Sequence, residues 1–228
     1  MELGQRARSK EQKNRRRDTI VACALKLFEI KTFQQISVAD VAKCAGIAKG
    51  TFFLYFKTKE ELFFSIIKRE FRSWLDDMDS MFTEKRNLTK DELLALIAKV
   101  LNNRYLFAKL IALQYTVLEH NVEYSDVLAF KQMMHERLSR TGHILEECSP
   151  IINQGHGFHL LMWMYAMVIG LIQMAEPSPV LQRIYAKERG MSRFQVNFSE
   201  EYFTMLGAIL DGWAIARAKQ LKKAGRTK

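Results

Sequence analysis

Proline is scarce in this 228-residue chain: only Pro150, Pro177 and Pro179 occur, so the first 149 residues hold nothing that removes a helix-backbone donor. Long helices are expected there. Cysteine is sparse too. Cys23, Cys44 and Cys148 are odd in number, widely spaced and form no Cys-x-x-Cys pair, which argues against a disulfide framework or a zinc site and fits the reducing cytoplasm. No glycine-rich phosphate loop, nucleophile elbow or paired-carboxylate motif is present, so neither an enzyme nor a bound cofactor is expected. The N-terminus, MELGQRARSKEQKNRRR, lacks the apolar run and small-residue cleavage site of an export signal.

Long hydrophobic runs are limited to one. Residues 158 to 175 read FHLLMWMYAMVIGLIQMA, but the uninterrupted apolar part, Leu160 to Ile172, is only 13 residues, short of the ~20 that span a bilayer. A helix apolar on every side is expected to be buried, in part by its own chain and in part by a second copy. No membrane partner is expected.

What the chain has in excess is positive charge at its ends. The formal net charge is +10. Residues 1–70 carry 15 Lys and Arg against 8 Asp and Glu, residues 71–216 carry 14 against 17, and residues 217–228 carry 6 against none. Basic ends around a slightly acidic body point to a polyanion at the N-terminal part and a different task for the body.

Helical periodicity covers most of the sequence, and no segment alternates with period two, so the fold class is all-α. Arg15 to Ile30 places Ile20, Ala24, Leu27 and Phe28 on one face. Ser37 is an N-cap with Asp40 in the first turn of a short helix ending at Cys44, and Gly46 permits the reversal that follows, with Ile47 as an apolar peg. Thr58 and Glu61 form a capping box opening a helix to about Asp79, and Thr89 with Glu92 forms another. Further helical patterns cover about Arg104 to Glu119, Ser125 to Cys148, Gly157 to Ala175, Val180 to Ala186 and Ser199 to Lys223. A basic arm at 1–14, a DNA-binding domain at 15–60 and a ligand-binding and dimerisation domain at 61–228 are the expected divisions.

Two short helices joined by a glycine-containing turn match a helix-turn-helix, whose second helix enters the DNA major groove. In AGIAKGTFFLYF, residues 45 to 56, Phe52 and Phe56 are four apart and share the inner face. Ala48, Thr51 and Tyr55 line the other, flanked by Lys49, Gly50 and Leu54. Glycine within a helix costs about 1 kcal/mol relative to alanine, which suits a backbone that must come close to DNA.

The stretch SVADVAKCAGIAKGTFFLYFKTKEEL, Ser37 to Leu62, with the preceding ALKLF at Ala24 to Phe28, resembles the DNA-binding signature of the TetR family of transcriptional regulators. The resemblance covers roughly residues 15 to 67. It implies a three-helix DNA-binding head, a larger helical body that binds a small-molecule effector, and a homodimer on a near-palindromic DNA operator, most simply as a repressor. Carried over by position, Ser37 and Lys59 stand at phosphate contacts, Lys49, Gly50, Thr51 and Leu54 at base edges, and Tyr55 at a phosphate. Ala48 stands where a capping Ser is usual and Phe53 where a Tyr is common. Arg6, Arg8, Lys10, Lys13 and Arg15 to Arg17 supply an arm for the backbone or an adjacent minor groove.

In the body, Tyr115, Glu119, Met162, Trp163 and Met167 are candidate effector contacts, with Tyr105, Phe107, Tyr165 and Met174 as further apolar candidates and His120 beside Glu119. In the last helix Phe203, Leu206, Leu210, Trp213 and Ala214 form a stripe with the small residues Gly207, Ala208 and Gly212 beside it. His143, Cys148, His156 and His159 fit no standard zinc spacing, so no metal is expected. Two other readings compete with the regulator: a cytoplasmic enzyme using Cys148 and a nearby histidine, and a membrane-surface protein using the basic ends and the apolar helix.

Overall fold

The structure, a computed structural model, describes the backbone of residues 2–102 and 104–224 and the side chains of 11–102, 104–114, 117–119 and 121–217. Ten α-helices and no strand are found among the described residues: α1 (Glu2–Ile30), α2 (Val38–Cys44), α3 (Lys49–Phe52), α4 (Lys59–Phe82), α5 (Lys90–Leu101), α6 (Tyr105–Leu113), α7 (Tyr124–Cys148), α8 (Gly157–Ala175), α9 (Pro179–Lys187) and α10 (Phe198–Ala224). The all-α expectation holds. The chain divides into two compact units, Met1–Arg69 with Leu113–Val127, and Glu70–Ala112 with Leu128–Lys228.

In the first unit α1 starts thirteen residues ahead of the Arg15 expected from periodicity, at Glu2, so the basic segment continues the helix. Side chains 11 to 19 are all exposed, and burial begins at Ile20, Val21, Ala24 and Phe28. Phe63 is the centre of this core, with Phe28 and Phe33 edge-on at 5.5 and 5.1 Å. Leu27, expected on the same face, is half-buried.

Caps set the helix limits. The Ser37 hydroxyl accepts the Asp40 N–H at 3.1 Å while Asp40 Oδ2 accepts the Ser37 N–H at 2.9 Å, a reciprocal box. α2 ends in a Schellman motif: Gly46 has φ +64°, its N–H reaches Lys43 O, and Ile47 N–H reaches Ala42 O. At α4 the Thr58 hydroxyl accepts the Glu61 N–H at 3.0 Å, but the Glu61 carboxylate accepts from Lys57 at 2.7 Å, one residue further back than a standard box. The box at Thr89 and Glu92 is complete.

The helix expected over 104–119 ends early. After α6 the chain forms a π turn over Gln114–Leu118 and a 3₁₀ turn over Glu119–Asn121. Gln114 is fully buried, and both its carbonyl and its side chain engage Glu119, five residues on: the Glu119 N–H reaches Gln114 O, and Gln114 Nε2 donates to Glu119 Oε1 at 2.6 Å. Two bonds at a spacing of five favour the wider turn.

In the second unit α8 is the central element. By length and composition it is long and apolar enough to cross a membrane, but nine of its 19 residues are buried here, among them Leu160, Met164, Tyr165 and Leu171. Within one chain α8 is covered in part only: Trp163 is 41% and Met174 53% exposed. Asp79 is an internal tie, accepting from Thr141 Oγ1 at 2.5 Å and pairing with Arg137 and Arg140 at 3.4 and 3.2 Å. α7 and α8 meet through two glycines. A Cβ on Gly157 would lie 2.1 Å from Gly142 O, and one on Gly142 would lie 2.6 Å from Phe158 N.

Backbone fills that space, so no side-chain shift relieves the overlap. Gly142→Ala is expected to destabilise the chain by about 1–3 kcal/mol, lowering Tm by about 2–4 °C for each kcal/mol in a protein of this size. Differential scanning calorimetry checks this, and an unchanged Tm would show that the two helices are further apart.

Candidate nucleic-acid interface and effector cavity

α3 is one turn long and leans on what lies behind it. Phe52 and Phe56 are buried, 0% and 1% exposed, with ring centroids 5.8 Å apart. The outer side carries the residues singled out from the sequence. Ala48, Lys49 and Gly50 are exposed, Leu54 is 73% exposed, and Thr51 and Tyr55 are half-buried. Ala48 occupies the N-cap position and makes no side-chain cap bond, while its carbonyl accepts the Thr51 N–H at 2.9 Å. A Cβ on Gly50 would meet nothing within 4 Å. The fold does not require glycine there.

Charge surrounds this face. Lys13, Arg15 and Arg16 of α1 share an open groove with Leu54 and Tyr55. The Arg17 guanidinium sits 4.9 Å over the Phe56 ring, tying the basic helix to the aromatic that anchors α3. Such a surface has cationic side chains for phosphates beside short, exposed side chains able to reach base edges.

Two carried-over phosphate positions are differently occupied. Ser37 Oγ lies 2.8 Å from Asp40 Oδ2, and its hydrogen bonds hold the Asp40 carboxyl below the usual carboxylate range. Lys59 Nζ donates to Phe33 O and Ile36 O at 2.7 Å each and lies 4.0 Å from the Phe33 ring centroid. Burial lowers its pKa. Lys59 thus fastens the loop before α2 with two of its three N–H groups. Between α1 and α2 burial, followed by the neighbouring Cys44 thiol, pushes the Cys23 thiol up to about 11.

The body holds an apolar cavity of about 220 Å³ among α4, α5, α6, α8 and α10. Trp74, Phe107, Ile111, Tyr165, Val168 and Tyr202 form much of its wall. Asn102 and Arg104 line it as well and also line a neighbouring polar groove with Ser73, Asp77 and Lys99. Arg104 is held by Val100 O at 3.1 Å, Ser73 Oγ at 3.3 Å and the Asp77 carboxylate. Tyr105 donates to Glu176 at 2.6 Å; partial burial, then that carboxylate, push its phenol up to about 12.

The effector contacts expected from the sequence fall elsewhere. Trp163 points away from the cavity and meets Trp213 at 5.3 Å, Met162 is half-buried outside it, and Met167 is buried without lining it. Successive helix positions turn by about 100°, so Met164, Tyr165 and Val168 present the cavity side of α8 and their neighbours do not. Glu119 is engaged by Gln114. The side chains of Tyr115 and His120 lie outside the described residues. Trp74, Arg104 and Tyr202 carry no sequence signal as cavity residues; among the described apolar candidates, Tyr105, Phe107 and Tyr165 line it. Among the described residues no group of three or more His, Cys, Asp or Glu side chains is placed to hold a metal.

Comparison with known proteins fits this geometry. The family model for bacterial regulatory proteins of the tetR family matches residues 20–66, and that for the tetracyclin repressor-like C-terminal domain matches residues 68–217. The fatty acid metabolism regulator protein of Bacillus subtilis is 32% identical over 80 residues, 35% of this chain and 41% of that protein. The regulator EthR of Mycolicibacterium smegmatis is 48% identical over 52 residues, 23% of this chain and 24% of its own. The chain thus matches well under half the length of either regulator. Among solved structures, a TetR-family regulator from Mesorhizobium loti superposes with a TM-score of 0.54 at 16% identity, covering 89% of this chain and 96% of the other. FadR from Bacillus subtilis, in complex with stearoyl-CoA, gives 0.50 at 20% identity, covering 82% and 96%. At such identities the likeness is one of fold. With a family model over the head and another over most of the body, the chain belongs to the TetR family of bacterial regulatory proteins.

Proposed function

We propose that the chain is a DNA-binding transcriptional regulator that acts in the cytoplasm as a homodimer and represses until a small-molecule effector releases it from a near-palindromic operator. The observation that carries this reading is α3: Lys49, Gly50 and Leu54 stand outward on a turn whose Phe52 and Phe56 are buried behind it. Lys49 is the reader of guanine O6 and N7, and Leu54 and Thr51 suit thymine methyls and base edges. Ser37 and Lys59 are occupied locally, so backbone positioning falls first on Lys13, Arg15, Arg16 and Tyr55.

A homodimer is supported by what the body leaves uncovered. Trp163, Gly170 and Met174 run along the outside of α8, and Met205, Gly212 and Ile215 along the outside of α10. A second copy covering both stripes in an isologous seam presents two α3 turns about 34–36 Å apart, one turn of DNA. The effector reading rests on the cavity, and the Bacillus subtilis relatives favour an acyl compound for it.

Four outcomes follow. Lys49→Ala is expected to cost about 1–3 kcal/mol at one base position, whereas Gly50→Ala keeps Tm or raises it slightly and weakens operator binding about tenfold; fluorescence anisotropy over a panel of operator variants checks both. Equal weakening across all sequences would reassign Lys49 to a phosphate. Removing residues 1–14 should lower affinity for every duplex alike and flatten the salt dependence; a changed sequence preference at unaltered salt slope would make this segment a base reader. Met205→Glu should reduce the sedimenting mass to that of one 26.6 kDa chain. A dimer that survives it would move the seam elsewhere.

A further inference from the structure

The indole of Trp74 stands out within the cavity wall. Its side chain is 4% exposed, and Nε1–H is buried with no acceptor among the described residues. An indole N–H can only donate, and leaving such a group buried and unpaired forfeits the hydration it had in water. The other buried nitrogen without a partner, Arg137 Nε, belongs to a guanidinium already paired with Asp76 and Asp79. Trp74 has no second polar atom to compensate it.

Its surroundings narrow what can accept that bond. Phe71 meets the Trp74 ring edge-on at 5.4 Å, and Phe107 and Tyr165 meet Phe71 at 6.3 and 6.0 Å. An ionised group set among aromatic rings carries a large desolvation cost. A neutral oxygen on an otherwise apolar molecule avoids that cost and still accepts the bond. The cavity of about 220 Å³ has room for a small organic molecule. Asn102 and Arg104, shared with the polar groove, give a longer molecule a place for its polar end.

We infer that the cavity takes an apolar acyl or ketone compound whose carbonyl oxygen accepts a hydrogen bond from Trp74 Nε1–H. This rests on the body being an effector-binding module and assigns the residue that selects among apolar effectors. Trp74 is the specificity determinant, and the rest of the wall supplies area.

The test uses the full-length protein and two probes of equal shape, 2-heptanone and 2-methyl-1-heptene, in which C=CH₂ replaces C=O. Isothermal titration calorimetry on the wild type and on Trp74→Phe should show the ketone weakened about fivefold to tenfold by the substitution, as one hydrogen bond of about 1 kcal/mol implies, and the alkene unchanged. Equal weakening of both probes would leave the cavity as a binding site and overturn the carbonyl assignment. Failure of both probes to bind the wild type would overturn the cavity reading itself. A second measurement needs no variant: in ¹⁵N-indole spectra of the wild type, the Trp74 Nε1–H resonance should move downfield with 2-heptanone and not with the alkene. An equal shift with both probes would contradict the assignment.

Discussion

A single turn of helix has no stability of its own, because its few internal bonds do not offset the ordering of its backbone. α3 is such a turn, and it lacks a side-chain cap at Ala48. It is held by the burial of Phe52 and Phe56, each contributing about 1.5–3 kcal/mol of apolar transfer, and by the Schellman turn that aims the chain after α2. Everything presented to DNA depends on this anchorage from behind. The outer residues are thereby relieved of packing duties, which is why an exposed lysine, a glycine and a solvated leucine are tolerated side by side. Arg17 over Phe56 extends the same anchorage to the basic face of α1.

The body follows a different rule. Its central helix is apolar nearly all round, and the protein divides that surface among three environments: the core, a small cavity and an open stripe continued on α10. Glycines serve the first, since Gly142 and Gly157 bring α7 and α8 into backbone contact. Trp74 and Tyr165 serve the second. Trp163 and Trp213, in contact at 5.3 Å beside Gly170 and Gly212, serve the third.

The sequence made some of this legible because its signals are local. Ser37 with Asp40 and Thr89 with Glu92 mark their helix starts by residue type and spacing alone, and Gly46 marks the reversal. The phenylalanines of α3 declare their face by a spacing of four. Other features have no local signature. A buried Gln114 bonding to Glu119 produces a π turn that helical periodicity cannot register. In α8, where nearly every residue is apolar, periodicity has no phase, so Met162, Trp163 and Met167 were indistinguishable from Met164, Tyr165 and Val168. The two carbonyl partners of Lys59, Phe33 and Ile36, likewise come together only once the loop before α2 has closed.

The central claim is that two copies of α3 enter successive major grooves on one side of a duplex. Dimethyl sulfate protection of guanine N7 reports the major groove directly. The account predicts two protected guanine clusters centred one helical turn, about 10–10.5 base pairs, apart, each with the Lys49 side chain over it. Protection confined to adenine N3 in the minor groove, or a single cluster on a bound dimer, would contradict it.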